Sequence, residues 1–97
     1  MEKFDADTMQ ELCRAILSLR TPAECAAFLE DICTIRELQD ISQRLSVAIL
    51  LEEGKNYQDI CRATGASTAT ISRVNKCLNY GSRGYQTVLS RRKEENT

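Results

Sequence analysis

The side chains best suited to chemistry lie between Tyr57 and Leu78, and the chemistry they suggest is recognition rather than bond breaking. The stretch reads Tyr57-Gln58-Asp59-Ile60-Cys61-Arg62-Ala63-Thr64-Gly65-Ala66-Ser67-Thr68-Ala69-Thr70-Ile71-Ser72-Arg73-Val74-Asn75-Lys76-Cys77-Leu78. A helix that turns Ile71, Val74 and Leu78 inward turns Thr68, Ala69, Ser72, Arg73 and Lys76 outward, at about 100° per residue. Small side chains let a helix sit deep in a major groove. Hydroxyls reach base edges or phosphates, and Arg73 can grip a guanine edge or a phosphate with two hydrogen bonds. The expected DNA contacts are Tyr57, Gln58, Ser67, Thr68, Ala69, Thr70, Ser72, Arg73 and Lys76. Each also has a plainer reading as a solvated surface position, and Thr70 could bond back into its own helix.

Two helices meeting at a steep angle have three requirements, and this stretch meets each. Gly65 tolerates the positive φ of a tight turn. Ile60 on the first helix faces Ile71, Val74 and Leu78 on the second. Cys61 or Ala66 is small enough for the closest approach, and Ser67 can cap the second helix through the amide of Ala69 or Thr70.

Charge supports the same reading. The net charge is −1, but the halves differ. Met1 to Gly54 holds five basic and eleven acidic residues. Lys55 to Lys93 holds eight basic residues and only Asp59 on the acidic side. A basic half joined to an acidic half points to a polyanionic partner for the basic one.

Other chemistries find no support. The chain has no histidine, and Cys13, Cys25, Cys33, Cys61 and Cys77 form no C-x-x-C pair, so no zinc site is expected. The cysteines read as small, reduced core residues. No nucleophile elbow, phosphate-cradling glycine loop or paired carboxylates suggest an enzyme. No apolar run approaches the roughly 20 residues of a membrane span. Met1 to Thr8 carries Glu2, Asp5 and Asp7, the wrong charge for a signal peptide, so a cytoplasmic location is expected.

The elements that must position the motif are all helical. Thr8-Met9-Gln10-Glu11, Thr21-Pro22-Ala23-Glu24 and Thr34-Ile35-Arg36-Glu37 read as capping boxes, with Pro22 at a first helical position. The expected helices run from about Met9 to Leu19, Pro22 to Cys33, Ile35 to Glu53, Tyr57 to Ala63, Thr68 to Asn79 and Tyr85 to Arg92. The second should bury Cys25, Phe28, Leu29 and Ile32. Gly54 should end the third, and the tail from Lys93 to Thr97 should fray. Apolar residues wrap the third helix too widely for one stripe: Leu38, Ile41, Leu45 and Ala48, then Val47, Ile49, Leu50 and Leu51. That implies burial on two sides, the second against another subunit, or else a helix central to one core. The expectation is an all-α single domain, 1–97, of five to six helices. Residues 8–54 form core and dimer interface, 55–80 the helix-turn-helix, and 81–93 a turn and short helix.

The stretch Gly65-Ala66-Ser67-Thr68-Ala69-Thr70-Ile71-Ser72-Arg73, with Arg36-Glu37-Leu38 and the long helix ending at Gly54, resembles the bacterial tryptophan repressor family. Thr34-Ile35-Arg36-Glu37-Leu38-Gln39-Asp40 and Cys77-Leu78-Asn79-Tyr80-Gly81 are more similar still to its YerC/YecD relatives. The likeness covers about Leu12 to Leu89. It implies an intertwined homodimer whose two recognition helices enter successive major grooves. It also implies a small-effector pocket at Arg44, Arg73 and Cys77, with Arg44 aligned only by allowing a one-residue gap. In the repressor a glycine follows the recognition-helix arginine, and here Val74 stands there. Its branched side chain takes space that an indole needs, which weighs against L-tryptophan and leaves another small co-repressor open. No resident cofactor is expected. The sequence thus reads as a dimeric, DNA-binding transcriptional regulator, a repressor in the first instance. The alternative is a helical protein-interaction adaptor that no longer reads DNA.

Overall fold

The computed structural model describes residues 5–95; Glu2 of the acidic start and Asn96 and Thr97 of the tail lie outside them. Six helices follow in order: α1 (Ala6–Leu17), α2 (Pro22–Ile32), α3 (Ile35–Glu52), α4 (Tyr57–Thr64), α5 (Thr68–Tyr80) and α6 (Gly84–Glu95). There are no strands among the described residues, and the fold is all-α as expected. The chain forms two compact units, Met1–Leu38 and Gln39–Thr97.

Local signals set most helix starts in the first unit. Thr34 and Glu37 form a full capping box: the Glu37 amide donates to Thr34 Oγ1 at 3.0 Å, and the Thr34 amide donates to Glu37 Oε1 at 2.8 Å. At α2 the box is shifted. The Glu24 amide donates to Thr21 Oγ1 at 3.1 Å, but Glu24 Oε1 accepts from the amide of Arg20 rather than that of Thr21. At α1 the expected cap is displaced altogether. The Asp5 carboxylate accepts from the Asp7 amide and from the Thr8 hydroxyl, so the helix begins three residues earlier than Met9. A charged acceptor next to the positive end of a helix outcompetes a hydroxyl one turn later. The helix stops at Leu17, with Ser18 as its cap.

No residue of α1 or α2 is fully buried. Cys25, Phe28 and Leu29 are half-buried, but Ile32 is 54% exposed, contrary to its expected burial. The cysteines are not core residues either: Cys13 and Cys77 are exposed, and Cys25, Cys33 and Cys61 half-buried. Both departures have one cause. The apolar spacing that marks a helix face does not say whether its own chain covers that face.

The core lies in the second unit and consists of Val47, Ala48, Ile60, Ala66, Ile71, Val74 and Leu89. Each of α3, α4, α5 and α6 contributes at least one of these, so the helix-turn-helix is built into the core. Fully burying side chains such as Ile60 and Ile71 stabilises by about 2–3 kcal/mol each. The α3 terminus closes with a left-handed Gly54 at φ 83. The Gly54 amide donates to Leu51 O and the Lys55 amide to Leu50 O, the double closure of a Schellman motif.

Helix α6 extends to Glu95, past the expected end at Arg92. Lys93 is held rather than frayed, since its Nζ lies 3.1 Å from Glu52 Oε1 on α3. Gln86 Nε2 donates to the Leu78 carbonyl and ties α6 to α5. The turn between them puts Arg83 at φ 68, a left-handed conformation uncommon for a side-chain-bearing residue. Its carbonyl starts α6 by accepting from both the amide and the hydroxyl of Thr87.

Arg83→Gly should therefore raise stability by up to about 1 kcal/mol, because glycine carries no Cβ penalty in that conformation. Gly81→Ala should lower it, because a Cβ there would lie 2.4 Å from the Cys77 carbonyl oxygen. Urea unfolding followed by helical ellipticity measures both, and the two shifts should have opposite signs.

Candidate nucleic-acid interface

The interface is assembled from α4, its hinge and α5. Asn56 caps α4, accepting from the Asp59 amide at 2.8 Å. The helix ends at Gly65, with φ 73 and ψ 4. No atom lies within 4 Å of a Cβ built on Gly65, so the requirement for glycine is conformational and not one of space. The Thr64 hydroxyl donates to Ile60 O at 2.7 Å and accepts from the Ala66 amide at 3.1 Å, stitching the hinge across. From α3, Gln43 Nε2 donates to the Thr64 carbonyl at 3.1 Å. That carbonyl belongs to the last turn of α4, where helical partners run out. Ala66 is the small residue at the close approach, buried in the core, while Cys61 is only half-buried.

Ser67 caps α5: its Oγ accepts from the Thr70 amide at 3.1 Å and donates to Thr70 Oγ1 at 3.1 Å. Both hydroxyls thus serve the helix start, and Thr70 is half-buried. Behind this cap the helix divides as its periodicity requires. Ile71 and Val74 are buried and Leu78 half-buried, while Thr68, Ala69, Ser72, Arg73 and Lys76 are all exposed. The first turn of α5 holds no acidic residue, so its free amides present an uncompensated positive end. Gln58 is exposed and Tyr57 half-buried; both line a groove of about 610 Å³ with Cys61, Arg62 and Thr68.

A second groove, of about 630 Å³, lies between α3, the end of α5 and α6. Arg44 and Cys77 line it together with Ile41, Leu45, Tyr85 and Val88. Two of the three residues proposed for an effector pocket thus meet here. Arg73 is not among the lining residues and sits on the exposed face of α5.

Three contributors escaped the sequence reading. The Asn56 cap carried a legible signal, an Asn three residues before Asp59 at a helix start. Arg62 on the groove was also legible, four residues after Gln58 and so on the same helix face. The Gln43 bond was not, since 21 residues separate its partners.

A glycine-hinged helix pair capped at Ser67, with a small and basic outer face, defines a helix-turn-helix protein of the regulator class. The chain belongs to the Trp repressor family: the family model described as Trp repressor protein matches residues 7–93. It is 48% identical over 97 residues to YerC of Bacillus subtilis (strain 168), described as an uncharacterized protein, covering all of this chain and 93% of that one. A TrpR-like protein from Eubacterium eligens superposes with a TM-score of 0.85 at 50% identity, over 90% of each chain. A candidate Trp repressor from Staphylococcus aureus superposes with a TM-score of 0.87 at 43% identity, over 92% of this chain and 89% of its own. This is a family of regulators and not of enzymes. No helix of the described residues is long and apolar enough to cross a membrane, and no group of residues among them could hold a metal ion.

Two substitutions test what holds the interface. Ser67→Ala should cost about 1 kcal/mol through the lost cap. Gln43→Leu should cost a similar amount, about 1–2 kcal/mol, by leaving the Thr64 carbonyl unmatched. Chemical denaturation reads both, with far-UV ellipticity before the transition unchanged.

Proposed function

We propose that this chain is a sequence-specific transcriptional regulator, a repressor, that acts in the cytoplasm on an operator of two half-sites. One observation carries the reading. The face of α5 turned to solvent consists of Thr68, Ala69, Ser72, Arg73 and Lys76, on a helix whose opposite face is locked into the core. Nothing in that arrangement serves the protein's own packing, and every member suits a major groove. At the helix start Ser67 serves as the cap and Thr70 keeps its own hydroxyl proton for a phosphate, while Tyr57 and Gln58 take the backbone on the α4 side.

The regulator works as a homodimer in this reading. Leu17 (81% exposed) and Ile35 (76% exposed) are too apolar to leave in water, and Ile41, Leu45 and Val88 add to the uncovered surface. A second copy covers them through the helices of residues 8–54. Two-fold symmetry then spaces two α5 helices about one DNA turn apart, roughly 34–36 Å.

The reading needs no resident cofactor. A small co-repressor would be held in the groove that Arg44 and Cys77 line, with Arg73 outside it on the exposed face of α5. L-tryptophan is disfavoured in that role, because Val74, 2% exposed, stands where the repressor has glycine.

Selection of bound sequences from a random duplex pool tests the proposal. Enrichment of a two-half-site motif, with affinity falling steeply as salt rises, is the expected result. Arg73→Ala should lower discrimination between the selected and scrambled duplexes by about 1–3 kcal/mol. Absence of any enriched motif at moderate salt, together with stable capture of one protein partner, would favour the adaptor reading instead.

A further inference from the structure

The groove beside the start of α5 contains a cation that the recognition face leaves unexplained. Arg62 lines it with Tyr57, Gln58, Cys61 and Thr68, and three of these four are already assigned to DNA. Gln58 and Arg62 lie four residues apart on α4, so Arg62 continues the line of donors one turn further. Its Nη2 is held 3.0 Å from Asp59 Oδ1, with the two side chains 75% and 51% exposed. An ion pair so open to water is weak and easily exchanged. A phosphodiester is a better partner, because its two free oxygens match the fork of a guanidinium. Asp59 is also the one acidic residue between Lys55 and Lys93, placed where a duplex backbone would add further negative charge.

We infer that Arg62 is a DNA-phosphate contact held in reserve by Asp59, and that docking exchanges the carboxylate for a backbone phosphate. The inference rests on the DNA-binding reading of α4 and α5. In the free protein Asp59 cancels the charge of Arg62. On DNA the guanidinium turns into the groove, and the released carboxylate faces the duplex unpaired. Asp59 therefore weakens binding twice, by competing for Arg62 and by repelling phosphate. Because a phosphate contact carries no base information, the exchange acts alike on every sequence.

Fluorescence anisotropy of the full chain on a labelled mixed-sequence duplex and on the selected duplex, across a salt series, tests this. Arg62→Gln should reduce the slope of log affinity against log salt by about 0.9 per protomer and weaken both duplexes by the same factor. Arg62→Lys should restore the slope. Asp59→Asn should tighten binding about two- to fivefold at low salt, with a smaller gain when Arg62→Gln is also present. Thermal melts establish that each variant is folded. An unchanged slope in Arg62→Gln, beside salt-sensitive binding by the unaltered chain, overturns the inference and leaves the proposed function standing. Equal gains from Asp59→Asn in both backgrounds remove the reserve role. Failure of the unaltered chain to bind either duplex removes both proposals together.

Discussion

The left-handed turn at Gly65 is the constraint on which the interface depends. With φ at 73 it swings the chain from the end of α4 into Ala66 and the Ser67 cap. Ordinary residues pay about 1–2 kcal/mol to adopt that conformation. Because Gly65 adopts it freely, Ala66 enters the core and α5 starts at the one azimuth that buries Ile71 and Val74. The outward direction of Thr68, Ser72 and Arg73 follows from that azimuth alone. Thr64 and Gln43 then hold the turn, one by bonding across it and the other by reaching over from α3.

This arrangement separates two tasks along a single helix. The inner side of α5 is apolar and fixed, and the outer side is polar and free of packing duties. The cap between them spends the hydroxyls of Ser67 and Thr70 on the helix start itself. The proposed base-reading residues are therefore the exposed side chains that take no part in the cap, Thr68 and Ala69 in the first turn and Ser72, Arg73 and Lys76 beyond it. The electrostatic asymmetry follows the same division, with the positive charge concentrated after Lys55 and the acidic residues before it.

Features set by nearby residues were legible in the sequence. The Thr21 and Thr34 caps, Pro22, the glycine stops at 54 and 65 and the two faces of α5 all depend on neighbours a few positions away. The misreadings share the opposite character. Thr8 gives way to Asp5 because a carboxylate three residues upstream starts the helix first and takes the Thr8 hydroxyl as a donor, and spacing alone does not rank the two caps. Ile32 and the cysteines were assigned to a core because periodicity marks an apolar face without naming its cover. Near the end of α6 Lys93 meets Glu52, 41 positions away in number but adjacent in space, a contact no local pattern encodes. The same holds for Gln43. Among the site residues, Arg62 is encoded by helical spacing, four positions after Gln58 on the same face of α4.

The small core has a consequence for how such a chain lives in a cell. Seven buried residues among those described, none from α1 or α2, leave much of the apolar surface without cover from the rest of the chain. Whatever covers it binds the folded form and not the unfolded one, so it raises resistance to unfolding by mass action. With the proposed second copy as that cover, abundance becomes a determinant of fold integrity. In that proposed dimer a chain diluted to a few copies would be open to proteolysis, and a lesion at Ile35 or Leu17 would act by shortening its lifetime while leaving the outer face of α5 untouched.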